Sequence, residues 1–316
     1  MQIALDAMGG DHAPGPIVAG AVQAVRADPE LRVILVGDQA QVRPWLDQEK
    51  DLPDRVEVFH CTQAVGMEES PVEALRRKPD NSISRCWQLL AEKKVEAIVS
   101  AGNTGAMVAG GLRLRRFLKN VKRPGIAAVM PTLRGPCVLI DVGANISPKP
   151  QHLFAYGVMG SIFAKVILHK DKPTVGLMNI GSEEQKGHDL AKETNALFNA
   201  SHLKERFVGN VVLKVCEGVF DFVMKMTYRE VLGTLQAEKA LGKAALDALV
   251  QRYDYSEHGG APLLGIDGIC IICHGASGDR AIKNALAVAA NYARHNLNEA
   301  IVQELEASMP VLAEDE

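Results

Sequence analysis

The sequence predicts an α/β fold, a largely parallel sheet with helices on both faces. Three observations carry this. Short, near-continuous apolar runs alternate with helix-length segments, as expected of strands buried on both faces. Five of the runs, at 3–5, 97–99, 137–142, 174–179 and 268–273, each lead into a glycine-bearing polar loop and then a helix. The chain of 316 residues is 47% hydrophobic, enough to bury such a sheet in a single domain spanning 1–316.

The first unit is the strand at 3–5, the loop Asp6-Ala-Met-Gly-Gly-Asp11-His12-Ala-Pro-Gly-Pro16 and an apolar helix at 17–25. Pro16 suits a first helical turn because it has no N–H to leave unpaired. A strand at 32–37, a polar helix holding Trp45 and Leu46, and a strand at 56–60 follow. The stretch 68–84, EESPVEALRRKPDNSIS, is too polar for a strand and reads as a surface loop leading into a helix at 84–92.

The unit around which the others are organised is VEAIVSAGNTGAMVAGGL at 95–112. Gly102 and Gly105 let the backbone turn sharply, so that successive N–H groups, with Asn103 and Thr104, point into one concavity at a helix N-terminus. Unpaired donors and a partial positive charge make that a place for phosphate. Simple capping of the helix by Asn103 or Thr104 explains the same residues. Arg113, Arg115, Arg116, Lys119, Lys122 and Arg123 come next, more cations than complementing a helix dipole requires.

The third unit runs through the loop 143–150 into a helix at 151–168, where Ser147 and Pro148 form a helix start. The fourth has the loop 181–189 and a helix at 190–199. The fifth runs from His274-Gly275-Ala-Ser277-Gly278-Asp279 into a helix at 280–294. All five loops leave the carboxyl ends of their strands, where open α/β sheets hold ligands. An anionic ligand is expected.

Several activities are excluded or weakened. The chain has no G-x-x-x-x-G-K-[ST] loop and no G-x-G-x-x-G loop. Cys270-Ile-Ile-Cys273-His274 fits a haem-attachment or redox pattern by spacing, but both cysteines lie inside an apolar strand and read as small hydrophobes. Glu183, Glu184 and Asp189 compose a metal site no better than a solvated loop, so no metal and no cofactor is expected. A net charge of −3 argues against a general nucleic-acid binder. No apolar run reaches membrane-span length, and the start MQIALDAMGGDH lacks signal-peptide features, so a cytoplasmic protein with reduced, buried thiols is expected.

Six motifs in order, IALDAMGGDHAP at 3, SAGNTGA at 100, DVGAN at 141, NIGSEEQKG at 179, YSEHGGAPLLG at 255 and HGA at 274, resemble the PlsX family of bacterial phosphate acyltransferases over nearly the whole chain. The resemblance implies a fold similar to isocitrate and isopropylmalate dehydrogenases and to phosphotransacetylase, and a homodimer. It implies reversible transfer of a fatty acyl group from acyl carrier protein to inorganic phosphate, for phospholipid synthesis. The acyl phosphate would pass to a membrane glycerol-3-phosphate acyltransferase, with peripheral contact on the inner face of the membrane.

On that basis phosphate and acyl binding fall to Gly9, Gly10, Asp11, Asn103, Thr104, Gly105, Asn145 and Gly181. Lys186 and His274 become the candidates to neutralise the oxyanion or protonate the leaving thiolate. A solvated loop lysine and a strand-end histidine are the alternatives. Arg113, Arg115, Arg116 and Lys119 form the candidate surface for the acidic carrier.

The family carries, before the helix matched here by 210–225, a further strand ending in an Asp-Gly-Phe-x-Gly-Asn loop. Only Phe207, Val208, Gly209 and Asn210 stand in that place. The shortening implies loss of a strand and of one wall of the site, and makes a catalytically silent phosphate- or partner-binding protein the alternative function. A metal-dependent dehydrogenase is a weaker third.

A helical hairpin is expected at about 219–253. Its second helix, 236–253, carries Ala237, Ala240, Leu241, Ala244, Ala245, Ala248 and Leu249 on one face. That face would meet a partner subunit or the membrane surface, with packing on its own domain as the ordinary alternative.

Overall fold

The computed structural model describes residues 1–130, 132, 135–179, 189–212, 226 and 259–308. In chain order the elements are β1 (Gln2–Asp6), α1 (Gly15–Ala27), β2 (Arg32–Gly37), α2 (Gln39–Leu46), β3 (Val56–His60), α3 (Pro71–Arg77), α4 (Ser82–Ala91) and β4 (Ala97–Ser100). Then come α5 (Thr104–Leu114), β5 (Gly125–Met130), β6 (Cys137–Ile140), α6 (Pro150–Val166), β7 (Val175–Asn179), α7 (Asp189–Ala200) and β8 (Phe207–Val212). The last are β9 (Ala261–Leu264), β10 (Ile269–Ile272), α8 (Asp279–Arg294) and α9 (Leu297–Ser308).

Eight strands pair in the order β3-β2-β1-β4-β10-β9-β5-β6. The five from β3 to β10 are parallel, and their side chains divide between two cores. Ile3, Leu5, Val33, Leu35, Ala97, Val99, Ile269 and Ile271 pack with α1, α8 and α9 on one face. Ala4, Ile34, Val36, Ile98, Cys270 and Ile272 pack with α4 and α5 on the other. Alternate residues thus enter opposite cores, which is why these strands read as unbroken apolar runs. Gly20 brings α1 onto α8, since a Cβ there would lie 2.6 Å from the Asp279 carbonyl oxygen.

The structure corrects the expected layout in four places. β9 is antiparallel to both β10 and β5, and β6 is antiparallel to β5, so β6 runs against β1, β4 and β10. The loop after β6 therefore leaves the opposite edge of the sheet from the loops after those three. β7 lies outside the main sheet and pairs in parallel with β8. Residues 210–212, expected to open a helix, belong to β8, so a strand stands where the sequence implied that one was lost. Finally, 71–77 is a helix rather than a loop: Pro71 takes a first-turn position, and the Glu73–Arg77 pair stands one turn apart. The hairpin expected at about 219–253 lies, apart from Met226, outside the described residues.

Cys61, Cys86, Cys270 and Cys273 are buried, but Cys137, on edge strand β6, is exposed, against the expectation of uniformly buried thiols. Burial, with Asp6 nearby, pushes the Cys61 thiol up to about 12, and burial alone pushes Cys273 up to about 12. Thiolate is the reactive form. A maleimide at about pH 8 is therefore expected to label Cys137 and none of those four in the native protein. Peptide mapping of the labelled chain checks this, and label at Cys61 without denaturant would contradict it. Cys216 lies outside the described residues.

Candidate active site

Three glycine loops meet at the carboxyl ends of β1, β4 and β10. The β1 loop turns at Gly10, whose φ of +109° favours glycine and whose absent Cβ would sit 3.0 Å from the Gly275 carbonyl oxygen. Beside it the Asp11 N–H donates to that same oxygen at 2.8 Å. The Cys273 N–H donates to the Ser100 carbonyl at 2.8 Å, so the β10 loop is tied to the other two at one edge. Thr104 starts α5 and is exposed there, while α8 starts at Asp279 after Gly278, with no side-chain cap. Two helix N-termini thus open on the edge that carries the loops, and their first N–H groups suit an anion.

Asp6 lies under this edge, wholly buried. Its Oδ2 accepts the Ser100 hydroxyl at 2.7 Å and its Oδ1 accepts the Met8 N–H at 3.1 Å. Ser100 Oγ in turn accepts the Gly102 N–H at 3.0 Å. Burial raises the Asp6 pKa, opposed by hydrogen bonds from the Ser82 and Ser100 hydroxyls and the Met8 and Gly9 N–H groups. Sequence reading passed over Asp6. The available signal was a carboxylate ending an apolar strand directly before a glycine pair.

The Asn103 side chain caps α5 and holds a neighbouring loop, the capping role that the sequence offered beside phosphate binding. Its side chain accepts the Ala106 N–H at 3.0 Å, and its amide donates to the carbonyls of Gly66, Met67 and Glu69 at 3.2, 2.9 and 3.0 Å. The 66–69 loop is thereby stapled to the start of α5. Glu69 holds the same loop from within, accepting the Gly66 N–H at 2.6 Å and pairing with Lys78. Gly105 also has a packing role: a Cβ there would lie 2.5 Å from Pro71 Cγ, so glycine lets α3 approach α5.

His274 is exposed at the same edge. Its Nδ1 accepts the Ala276 N–H at 3.2 Å, which assigns the ring proton to Nε2 and makes that atom a donor. Asp11 is exposed and its carboxylate lies against Gly275. Gly181 and Lys186 lie outside the described residues.

The remaining candidates sit at the opposite edge. Asn145 follows β6, where its side-chain amide donates to the Pro124 carbonyl at 2.7 Å and to Asp141 at 3.0 Å. Neighbouring Ala144 packs against the second core. Pro124 directly precedes β5, which runs the same way as β1, β4 and β10, so Asn145 lies at the amino ends of these strands, away from Asn103. Arg113 lies in the last turn of α5, and Arg115, Arg116 and Lys119 follow it. Arg113, Arg115 and Lys119 are exposed. Arg116 donates to the Ala91 carbonyl and pairs with Asp267 at 2.9 Å, and Lys119 pairs with Glu306 at 2.8 Å, so two of the four cations face acids. His152 is held below its ordinary pKa by burial and by Arg123, Lys149 and Lys122. Among the described residues no cluster of three or more His, Cys, Asp or Glu suits a metal ion.

The chain matches the profile of the family described as "Fatty acid synthesis protein" over residues 1–205 and 203–300. The two stretches meet just before β8. A phosphate acyltransferase of Geotalea daltonii is 38% identical over 335 residues, covering 98% of this chain and 96% of the relative. One of Desulfitobacterium hafniense (strain DSM 10664 / DCB-2) is 42% identical over 328 residues, covering 96% and 98%. Among solved structures, a phosphotransacetylase from Streptococcus pyogenes superposes with a TM-score of 0.58 at 16% identity, covering 95% of this chain and 94% of that one. A branched-chain phosphotransacylase from Enterococcus faecalis gives 0.53 at 14% identity, covering 92% and 98%. These two likenesses show a shared fold. With identity at this level over nearly its whole length, and with its glycine loops gathered at one sheet edge, the chain belongs to the phosphate acyltransferase family.

Proposed function

We propose that the protein transfers a fatty acyl group from the thioester of an acyl carrier protein to inorganic phosphate, giving acyl phosphate and the free carrier thiol. Near-full-length identity to phosphate acyltransferases carries this reading. The meeting of three glycine loops with the α5 and α8 N-termini supplies a place for the chemistry. A phosphate oxygen attacks the thioester carbonyl, the tetrahedral intermediate carries an oxyanion, and the C–S bond breaks to release a thiolate that takes a proton. Preorganised donors aimed at the developing charge supply most of the stabilisation such a step needs. Backbone N–H groups at Gly10 and the first turn of α5, with the Thr104 hydroxyl, hold the phosphate. His274, as an Nε2 donor, and Lys186 stabilise the oxyanion or protonate the thiolate. β8 supplies a strand where one seemed lost, which weakens the reading of a silent binding protein.

The direct test is phosphate-dependent loss of acyl-carrier thioester in a purified preparation. Turnover independent of phosphate would overturn the assignment. Lys186→Ala is expected to lower kcat about 100-fold with an unchanged melting temperature, and near wild-type turnover would remove Lys186 from the mechanism.

The carrier docks on the basic surface through Arg113 and Arg115, the two of the four cations free of the Asp267 and Glu306 pairings. Charge reversal at both is expected to raise KM for the carrier about tenfold, with a salt-dependent effect, and to leave KM for phosphate unchanged. Equal effects on both substrates would point to a solvated helix end. The protein acts as a homodimer and hands acyl phosphate to a membrane glycerol-3-phosphate acyltransferase by peripheral contact. No helix among the described residues is long and apolar enough to cross a membrane.

A further inference from the structure

The buried carboxylate beneath the loops has no part in the steps just described. Four donors converge on Asp6: two N–H groups of its own loop, the Ser100 hydroxyl at the end of β4, and the Ser82 hydroxyl at the start of α4. A carboxylate is the one side chain of this size that presents about four acceptor sites and no donor. An asparagine would turn an NH₂ group toward other donors. No cation is among the groups acting on Asp6, so its burial is costly and calls for a return.

That return lies in what the donors are attached to. Met8 and Gly9 belong to the β1 loop. Ser100 passes the hold onward, because its oxygen accepts the Gly102 N–H while its proton goes to Asp6. The two loops are in contact there: a Cβ on Gly9 would stand 2.6 Å from the Gly102 nitrogen and 2.5 Å from Asp6 Oδ2.

We propose that Asp6 is a positioning residue for phosphate, which locks the β1 and β4 glycine loops into one anion cradle through Ser100 and the Gly102 amide. The proposal rests on the phosphate-transfer reading above. Asp6 touches no substrate. It fixes the direction of the N–H groups that do, and so acts on phosphate rather than on the acyl carrier.

Ser82 supplies the control. Its hydroxyl meets the same carboxylate from α4, but it belongs to neither loop, and Ser82→Ala removes one donor from Asp6 as Ser100→Ala does. Steady-state kinetics of the full chain with inorganic phosphate and an acyl-carrier thioester, alongside melting temperatures, compare the two variants. Ser100→Ala is expected to raise KM for phosphate about tenfold and to change KM for the carrier less than about twofold. Ser82→Ala should raise KM for phosphate by less than about threefold, at a similar melting temperature. Calorimetric titration with inorganic phosphate should show the same order. An unchanged phosphate KM in Ser100→Ala, or equal rises in the two variants, would overturn the proposal and leave Asp6 a fold-holding group. If the wild-type enzyme needs no phosphate, the transfer reading has failed instead, and that result is separate from either.

Discussion

Gly9→Ala is expected to lower turnover about 1,000-fold while leaving most of the protein folded. The added methyl would lie 2.5 Å from Asp6 Oδ2, 2.6 Å from the Gly102 nitrogen and 2.8 Å from Gly102 Cα, distances that real methyl groups do not tolerate. Neither neighbour yields easily. Asp6 is held by the Ser100 hydroxyl and the Met8 N–H, and Gly102 is backbone held by Ser100. The β1 and β4 loops must therefore part. Overpacking of this kind costs about 1–3 kcal/mol of stability, which a domain of this size survives. Misplacing donors by about 1 Å costs about 100-fold in rate, and displacing two coupled loops costs more than one but less than the product. Steady-state kinetics with a parallel melting curve check this. Wild-type turnover in a folded Gly9→Ala protein would move the chemistry away from this edge.

What the sequence disclosed depended on how far each signal reaches along the chain. The parallel strands β1, β2, β4 and β10 are apolar on both faces and were legible as runs. β5 (GIAAVM) and β9 (APLL) contain Gly, Ala or Pro and lead into no glycine loop and helix, so the repeating unit that exposed the others missed them. β9 runs against β10, and β5 runs against both β9 and β6. Without them, β6 was assigned to the common edge, and Asn145 with it.

At the site itself, the loops at Gly9, Gly102 and Gly275 were visible from their glycines. Asp6 was not, because its importance lies in a hydroxyl 94 residues away. The basic run after α5 displayed its cations, but not Asp267 and Glu306, which take two of them from far along the chain. Asn103 had two readings, cap and ligand. The structure shows the cap, together with tertiary contacts to the 66–69 loop that lie beyond any local pattern.

Those contacts give the largest expected loss of stability, from Asn103→Asp. Aspartate caps helices as well as asparagine does, so the bond from the Ala106 N–H survives the change. The three bonds to the Gly66, Met67 and Glu69 carbonyls do not, because an ionised carboxylate has no hydrogen to donate. It would instead face three carbonyl oxygens at a position only 7% exposed. A buried charge left without compensation costs about 3–5 kcal/mol. The cost falls when the carboxyl is protonated, since it then donates to one carbonyl. Burial among carbonyls raises the pKa of the new group above its unfolded value, so the folded state binds the extra proton more readily. Stability relative to wild type should therefore recover as pH falls toward about 4, the ordinary carboxylate range, and be lost as pH rises through the raised value. Asn103→Ala removes both the cap and the staple without adding charge, and its loss should be smaller and independent of pH. Urea denaturation of the two variants at about pH 5 and pH 7.5 separates these outcomes. Equal and pH-independent losses would mean that the 66–69 loop moves aside, and that Asn103 holds only its own helix.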